Sequence, residues 1–288
     1  MNELDVKKRF EAIFPCHNAT VEHRLLGGMS NYTFVIKADG ELYTYRIPGE
    51  FAEYFVDRKI EKANIKLIDQ LNISNETIYL NTDTGEKIAK YIPGQSLHQV
   101  EVFEYEKISQ LLKKIHNSGL IAANDYEPFT RLEKYEFYVK VLGFIHPQAY
   151  LEIKERFLKF KAYLLSQKKV LCHGDSQPSN FILDKDTLYS VDFEFVGNND
   201  LFYDLACFAN IKLEHGLNLL YAYFDEVDND KLKRFYLWRA FQTLQWYNVA
   251  TFKDLKGMST KLKLDFKVIA DHYLQLAGQL LEKVEKIL

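Results

Sequence analysis

Between residues 170 and 195 the chain carries its densest set of side chains suited to chemistry. His173-Gly174-Asp175 follows a short apolar run, Asn180 comes five residues after Asp175, and Asp192 lies twelve residues beyond Asn180, across two more apolar runs. An Asp able to take a hydroxyl proton, an Asn five residues on and an Asp at the far side of a hairpin are what phosphoryl transfer asks of a protein. The transferred group leaves little covalent work, so positioning and charge neutralisation carry the reaction. Mg2+ takes hard oxygen ligands, which Asn180 and Asp192 would supply. Asp175 is the candidate base and His173 a brace for its loop. A lone His-x-Asp reads as an ordinary polar turn; several spacings agreeing with one geometry favour catalysis.

Such chemistry needs a held nucleotide, and residues 1–93 read as the unit that holds it. Residues 21–26, 32–37 and 41–47 are strand-like, rich in β-branched and aromatic side chains. Gly27-Gly28 separates the first two and Asp39-Gly40, a hairpin-turn signal, the next two. Helical spacing runs from 52 to about 71, and strand-like pieces near 76–81 and 87–92 end at Pro93-Gly94. The glycine turn, continued by Met29, Ser30 and Asn31, stands where phosphate contacts belong, although it is not G-x-G-x-x-G. The third strand should provide the phosphate-binding cation, which makes it Arg46. Lys37, on the second strand, reads as solvated. Glu61 on the following helix is the expected partner of Arg46; the alternative is an ordinary exposed pair of Arg58 with Glu61, three residues apart.

After residue 94 helical periods dominate, at about 100–118, 131–142, 149–166, 201–225, 229–251 and 260–287, interrupted by the β-rich stretch 170–195. The expected class is α+β, with a small β-rich lobe over 1–93 and a larger, mainly helical lobe over 94–288.

Composition narrows the partners. The 288 residues include 37 Lys+Arg against 40 Asp+Glu, a net charge of −3, with 47% hydrophobic and 27% charged residues. That is too apolar for a disordered chain and too evenly charged for a general nucleic-acid binder. No uncharged apolar run is long enough to span a membrane, and the first residues do not read as a signal peptide. Cys16, Cys172 and Cys207 are odd in number and widely spaced, which fits neither a disulfide framework nor a zinc site and points to a reducing cytoplasm.

Leu26-Gly27-Gly28-Met29-Ser30-Asn31, Tyr45-Arg46-Ile47-Pro48-Gly49, Asp57-Arg58-x2-Glu61-x2-Asn64, His173-Gly174-Asp175-x4-Asn180, Asp192-Phe193-Glu194 and Gly197-Asn198-Asn199-Asp200-x3-Asp204 together resemble the choline kinase family, within the aminoglycoside-phosphotransferase-like superfamily. The resemblance runs from residue 25 to about 250. It implies a bilobal, protein-kinase-like fold, ATP and Mg2+ as cofactors, and Asp175 as base. Asn180 and Asp192 would be the magnesium ligands, with Gln177 an additional one. Ser30, Asn31 and Arg46 would meet the nucleotide, Tyr91 and Ile92 would form the hinge beside adenine, and Asp204 would anchor the catalytic loop. Glu194 stands where protein kinases place the glycine of DFG, and no A-P-E follows, so a protein substrate is not expected.

The resemblance implies choline as the acceptor alcohol. A quaternary ammonium offers no hydrogen-bond donor and is held by aromatic faces and carboxylates. The helix at 229–251 places Trp238, Phe241, Gln242 and Gln245 on one face, with Tyr203 and Glu194 as further acceptor contacts. The same stripe also reads as core. Ethanolamine, thiamine or an aminoglycoside are alternative acceptors, and a non-catalytic pseudokinase is the alternative class.

Overall fold

The computed structural model describes residues 2–25 and 31–287; the Gly27–Ser30 turn, with the expected nucleotide contact Ser30, lies outside the described residues. The chain divides into two compact units, 1–103 with 178–196, and 104–177 with 197–288.

The first unit opens with α1 (Glu3–Ile13), capped by the Asn2 side chain, which accepts from the Asp5 N–H. A five-stranded antiparallel sheet follows, built from β1 (Ala19–Leu25), β2 (Asn31–Ala38), β3 (Glu41–Pro48), β4 (Thr77–Leu80) and β5 (Lys87–Lys90) in the order β1-β2-β3-β5-β4. Asp39 (φ 49°) and Gly40 (φ 95°) join β2 to β3, pairing Ala38 with Glu41; positive φ at both central residues is what a two-residue hairpin turn of type I′ needs. Alternation along the strands decides the rest. Phe34, Ile36, Tyr45, Ile47 and Ile88 pack with Val6 and Phe10 of α1 in one buried cluster. Arg46, between Tyr45 and Ile47, therefore leaves the opposite face of the sheet.

Helix α2 (Arg58–Ile68) is shorter than the helical pattern from 52 to 71 suggests, because single tight turns at 52–54 and 69–71 flank it. Its N-terminus is fixed by Asp57, which accepts from the Lys59 and Ile60 N–H groups. The buried face carries Arg58, Glu61 and Asn64 beside Ile65 and Ile68, so the stripe that packs inward is partly ionic.

β6 (Gln95–Ser96) precedes the second unit's β7 (Val170–Cys172), after which the chain returns to the first unit in the hairpin β8 (Phe181–Asp184) and β9 (Thr187–Ser190). β6 pairs with β8, and the Ser190 N–H donates to Ile73 O at 2.8 Å. These pairings draw 94–103 and 178–196 into the first unit, so the division does not fall at Pro93-Gly94.

The second unit contains α3 (Tyr105–His116), α4 (Pro128–Val141), α5 (Gln148–Leu158), α6 (Lys161–Leu165), α7 (Phe202–Cys207), α8 (Leu213–Tyr223), α9 (Asn229–Leu255), α10 (Met258–Leu262) and α11 (Phe266–Ile287), with β10 (Gly197–Asn199) paired to β7. Helix α9 is the axis of this unit, packed by α4, α5, α7, α10 and α11. Several long helical patterns are broken. One helix is expected over 260–287, but Lys263 adopts φ 54° and the Asp265 side chain caps the Val268 N–H at 3.0 Å. The three cysteines are free, and among the described residues no helix is long and apolar enough to cross a membrane.

Candidate active site

In the first unit Arg46 pairs with Glu61 in fork geometry, Nη1 to Oε1 at 2.6 Å and Nη2 to Oε2 at 2.9 Å, while Nη2 also donates to Gly85 O at 3.2 Å. Arg58 is not an exposed partner of Glu61. It is buried, and its Nη1 bridges Glu61 Oε2 at 2.7 Å and Glu194 Oε2 at 2.9 Å. Arg46 Nη1 lies 3.4 Å from Asp192 Oδ1 and 3.6 Å from Glu194 Oε2, and Lys87 Nζ lies 3.9 Å from Glu61 Oε1. Three cations thus face three carboxylates, close to the balance that buried charge demands.

The electrostatics follow from this packing. Burial disfavours ionised Glu61, yet the Arg46 charge and hydrogen bonds, helped by Lys87 and Arg58, outweigh it and bring its pKa down to about 2. Burial and the neighbouring Arg46 push Lys87 below the usual lysine range. Burial and the Asp192 charge raise Glu194 against the pull of Arg46 and Arg58. Buried donors remain in the cluster: Arg46 Nε and Arg58 Nη2 have no hydrogen-bond partner. An anionic oxygen is the group that would satisfy them.

Asn180 and Asp192 flank the β8–β9 hairpin, tied by the Val191 N–H donating to Asn180 O at 2.9 Å. Asp192 holds φ 67°, a left-handed conformation costly for a residue with a β-carbon and concentrated at functional sites. At 31% side-chain exposure it is the most accessible carboxylate of the cluster. One oxygen each from Glu61, Asp192 and Glu194 lie within 4.8 Å of one another; guanidinium groups hold the first and third at 2.6–2.9 Å, whereas Asp192 meets Arg46 only at 3.4 Å. Asp192 and Asn180 are the oxygen-bearing side chains of this hairpin that would hold Mg2+.

Asn31 donates to Glu194 Oε2 at 3.4 Å. At the expected hinge, the Tyr91 N–H is taken by Leu42 O at 3.0 Å and Lys90 O accepts from the Asn75 amide at 2.7 Å. Those two backbone groups are used inside the unit.

In the second unit the His173–Gln177 loop leaves β7 with Gly174 at φ 78°. Fully buried Asp204 takes the His173 N–H at 2.7 Å, the Gly174 N–H at 2.9 Å and His116 Nε2 at 3.0 Å, and its carbonyl accepts from Ser176 Oγ at 2.6 Å. Burial opposes its ionisation, but the bonds from His116 and the Gly174 N–H hold the carboxyl below the usual range. His116 Nδ1 in turn meets Tyr223 OH at 2.9 Å. His173 Nδ1 accepts the Asp175 N–H at 3.2 Å, a bracing contact. The Asp175 carboxylate accepts from Gln177 Nε2 at 3.1 Å and from the Cys207 thiol at 3.7 Å.

Several expected contacts are corrected. Gln177 offers no free oxygen to a metal, since its Oε1 accepts from Asn210 Nδ2 at 2.8 Å. Glu194 is a counter-ion of Arg58 rather than an open acceptor contact. Trp238 (1% exposed) and Phe241 (0%) are core. The Trp238 indole donates to Asp200 Oδ2 at 2.7 Å, and Phe241 packs on Phe129 and Phe157, each with ring centroids at 5.9 Å. Tyr203 is buried with its hydroxyl on Tyr126 at 2.5 Å. The reason is α9, where every residue from Leu237 to Gln245 is buried, so no face of that helix is singled out by period. Asp200, which also holds Arg234 in a fork at 2.5 and 2.6 Å, stood in the 197–204 motif with no role assigned to it; His116, Lys87 and Asn210 escaped sequence reading.

Trp238→Phe is expected to lower stability by about 1–2 kcal/mol through the lost bond to buried Asp200, with the acceptor KM unchanged. Denaturant titration and initial rates check this, and a selective rise in acceptor KM would restore Trp238 as a substrate contact.

A strand cation forked to a helix carboxylate, on a five-stranded antiparallel sheet, is the construction of kinase-like phosphotransferases, and that is the class into which this chain falls. More closely, the chain belongs to the choline/ethanolamine kinase family, whose profile matches residues 22–215; its relatives are phosphotransferases with an alcohol acceptor. It is similar to Protein LicA of Haemophilus influenzae, with 23% identity over 262 residues, covering 84% of this chain and 76% of that protein. Its fold is similar to that of the choline kinase LicA from Streptococcus pneumoniae, at a TM-score of 0.77 and 22% identity over 98% of this chain and 99% of that one. A choline/ethanolamine kinase family protein from Mesorhizobium loti gives a TM-score of 0.80 at 22% identity, covering 99% and 98%.

Proposed function

We propose that this protein is an ATP-dependent cytoplasmic kinase that phosphorylates the hydroxyl of choline. Asp175 takes the hydroxyl proton as the alcohol oxygen bonds to the γ-phosphorus, and the bond from that phosphorus to the β–γ bridging oxygen breaks, releasing ADP. Arg46, held in place by Glu61, contacts the nucleotide phosphates, with Asn31 and the hinge at Tyr91 and Ile92, apart from the Tyr91 N–H already held by Leu42 O, as further nucleotide contacts. Asn180 and Asp192 would hold Mg2+, which when bound neutralises charge on the phosphates. Asp204 keeps the loop of Asp175 fixed through two backbone N–H groups.

The observation that carries this reading is the buried fork of Arg46 with Glu61, a third-strand cation held by a helix carboxylate as phosphoryl transfer requires, in a chain whose family profile spans residues 22–215. Ethanolamine is the second reading. The burial of Trp238 and Phe241 favours it, since a primary ammonium is held by hydrogen bonds and needs no aromatic cage.

Coupled ADP release over choline, ethanolamine, thiamine and kanamycin tests both. Turnover is expected with choline or ethanolamine, at least about tenfold above the other two in kcat/KM. Absence of turnover with all four would shift the reading to a pseudokinase.

A further inference from the structure

Arg239 of α9 is 2% exposed, and among the described residues no carboxylate lies within ion-pair distance of it. A buried guanidinium without a counter-ion is expensive, and its two hydrogen bonds show how it is used. Nη2 donates to Asn210 Oδ1 at 3.4 Å and Nη1 to Gln242 Oε1 at 3.2 Å. Asn210 Nδ2 then donates to Gln177 Oε1 at 2.8 Å, and Gln177 Nε2 to Asp175 Oδ2 at 3.1 Å. On the other arm Gln242 Nε2 donates to Tyr203 O at 2.8 Å.

A side-chain amide can turn over and exchange its donor for its acceptor at almost no steric cost, whereas a guanidinium has donors only. We propose that Arg239 is a positioning residue for Asp175, its one-sided chemistry fixing the direction of the whole relay. Asn210 has to give its oxygen to Arg239, which turns its NH2 to Gln177. Gln177 then has to give its oxygen to Asn210, which turns its NH2 to the carboxylate. With Gln177 reversed, a carbonyl oxygen would face an Asp175 oxygen, and the carboxylate would be driven out of place. The Cys207 thiol holds the other Asp175 oxygen, so both oxygens are met by donors from within the same unit.

This rests on Asp175 being the base, and the test separates the two claims. Asn210→Asp keeps the shape and gives Arg239 a charged partner, but offers only acceptors at its other oxygen. Gln177 must then turn its NH2 away from Asp175. With the acceptor that wild type turns over fastest, kcat is expected to fall about tenfold or more, the ATP KM to stay within about twofold, and the thermal midpoint not to fall. Arg239→Met should lower kcat in the wild-type background and add less than about a twofold loss on top of Gln177→Met. Wild-type kcat in Asn210→Asp, or an undiminished effect of Arg239→Met in the Gln177→Met background, overturns the relay while leaving the base assignment intact. Undiminished kcat in Asp175→Asn overturns the base assignment and the relay with it.

Discussion

Asp175→Asn is expected to lower kcat about 10³-fold, within the ~10²–10⁴ range that a positioned general base contributes, with the ATP KM changed by less than about twofold. The substitution preserves size, and one oxygen remains to accept from Gln177. Asp175 is 8% exposed, with its main-chain N–H held by His173, so neither the loop nor the fold needs to move. Steady-state initial rates with saturating ATP give the answer. A variant that keeps wild-type kcat would leave Asp175 without a proton-transfer role. Equal losses in kcat and in ATP binding would point to damage beyond the base.

Glu61→Gln should be the most damaging conservative change in the first unit. It removes the only 0%-exposed carboxylate of the cluster and leaves three cations against two anions. Deleting one member of a buried ion network costs about 3–5 kcal/mol, readable as a shift of the urea midpoint. A tenfold or greater rise in ATP KM is expected as well, because Arg46 loses its fork. The acid response carries an independent signature. The Glu61 carboxyl sits at about 2 in the folded protein against an ordinary 4.5, so the unfolded chain takes up the proton first as pH falls. The stabilisation is complete above about pH 4.5 and drains away towards pH 2. Wild-type stability should therefore decline with acid across that window more steeply than that of Glu61→Gln. Parallel slopes for the two proteins would show that Glu61 is not the group responsible.

What could be read from the linear chain was what lies close together along it. The His173-x-Asp175-x4-Asn180 spacing is local, and the hairpin that brings Asn180 to Val191 is encoded by the adjoining apolar runs. Arg46 and Glu61 were legible because strand, turns and helix follow one another within 16 residues. Arg58 meeting Glu194 spans 136 positions, and the link from Arg239 to Asn210 joins two helical segments through side chains that carry no periodic signal. Strand β10, Gly197–Asn199, has none of the residue types that mark strands; its pairing with β7 is imposed by tertiary structure. Trp238 and Phe241 stayed open between cage and core for the opposite reason. Their helical spacing is clear, but a helix buried all round has no preferred face, and spacing alone cannot separate a cage from a core.

The interleaved division of the chain has a consequence for synthesis. Gln95 and Ser96 leave the ribosome long before Ile182 and Leu183, the residues they pair with, and Ile73 O waits for Ser190. At about 5–20 residues per second, β6 spends roughly 5–20 s without the hairpin it pairs with, while sequence belonging to the other unit is being made. An N-terminal fragment ending near residue 103 would reproduce that incomplete state permanently, so cotranslational chaperone capture of this protein should peak over that interval.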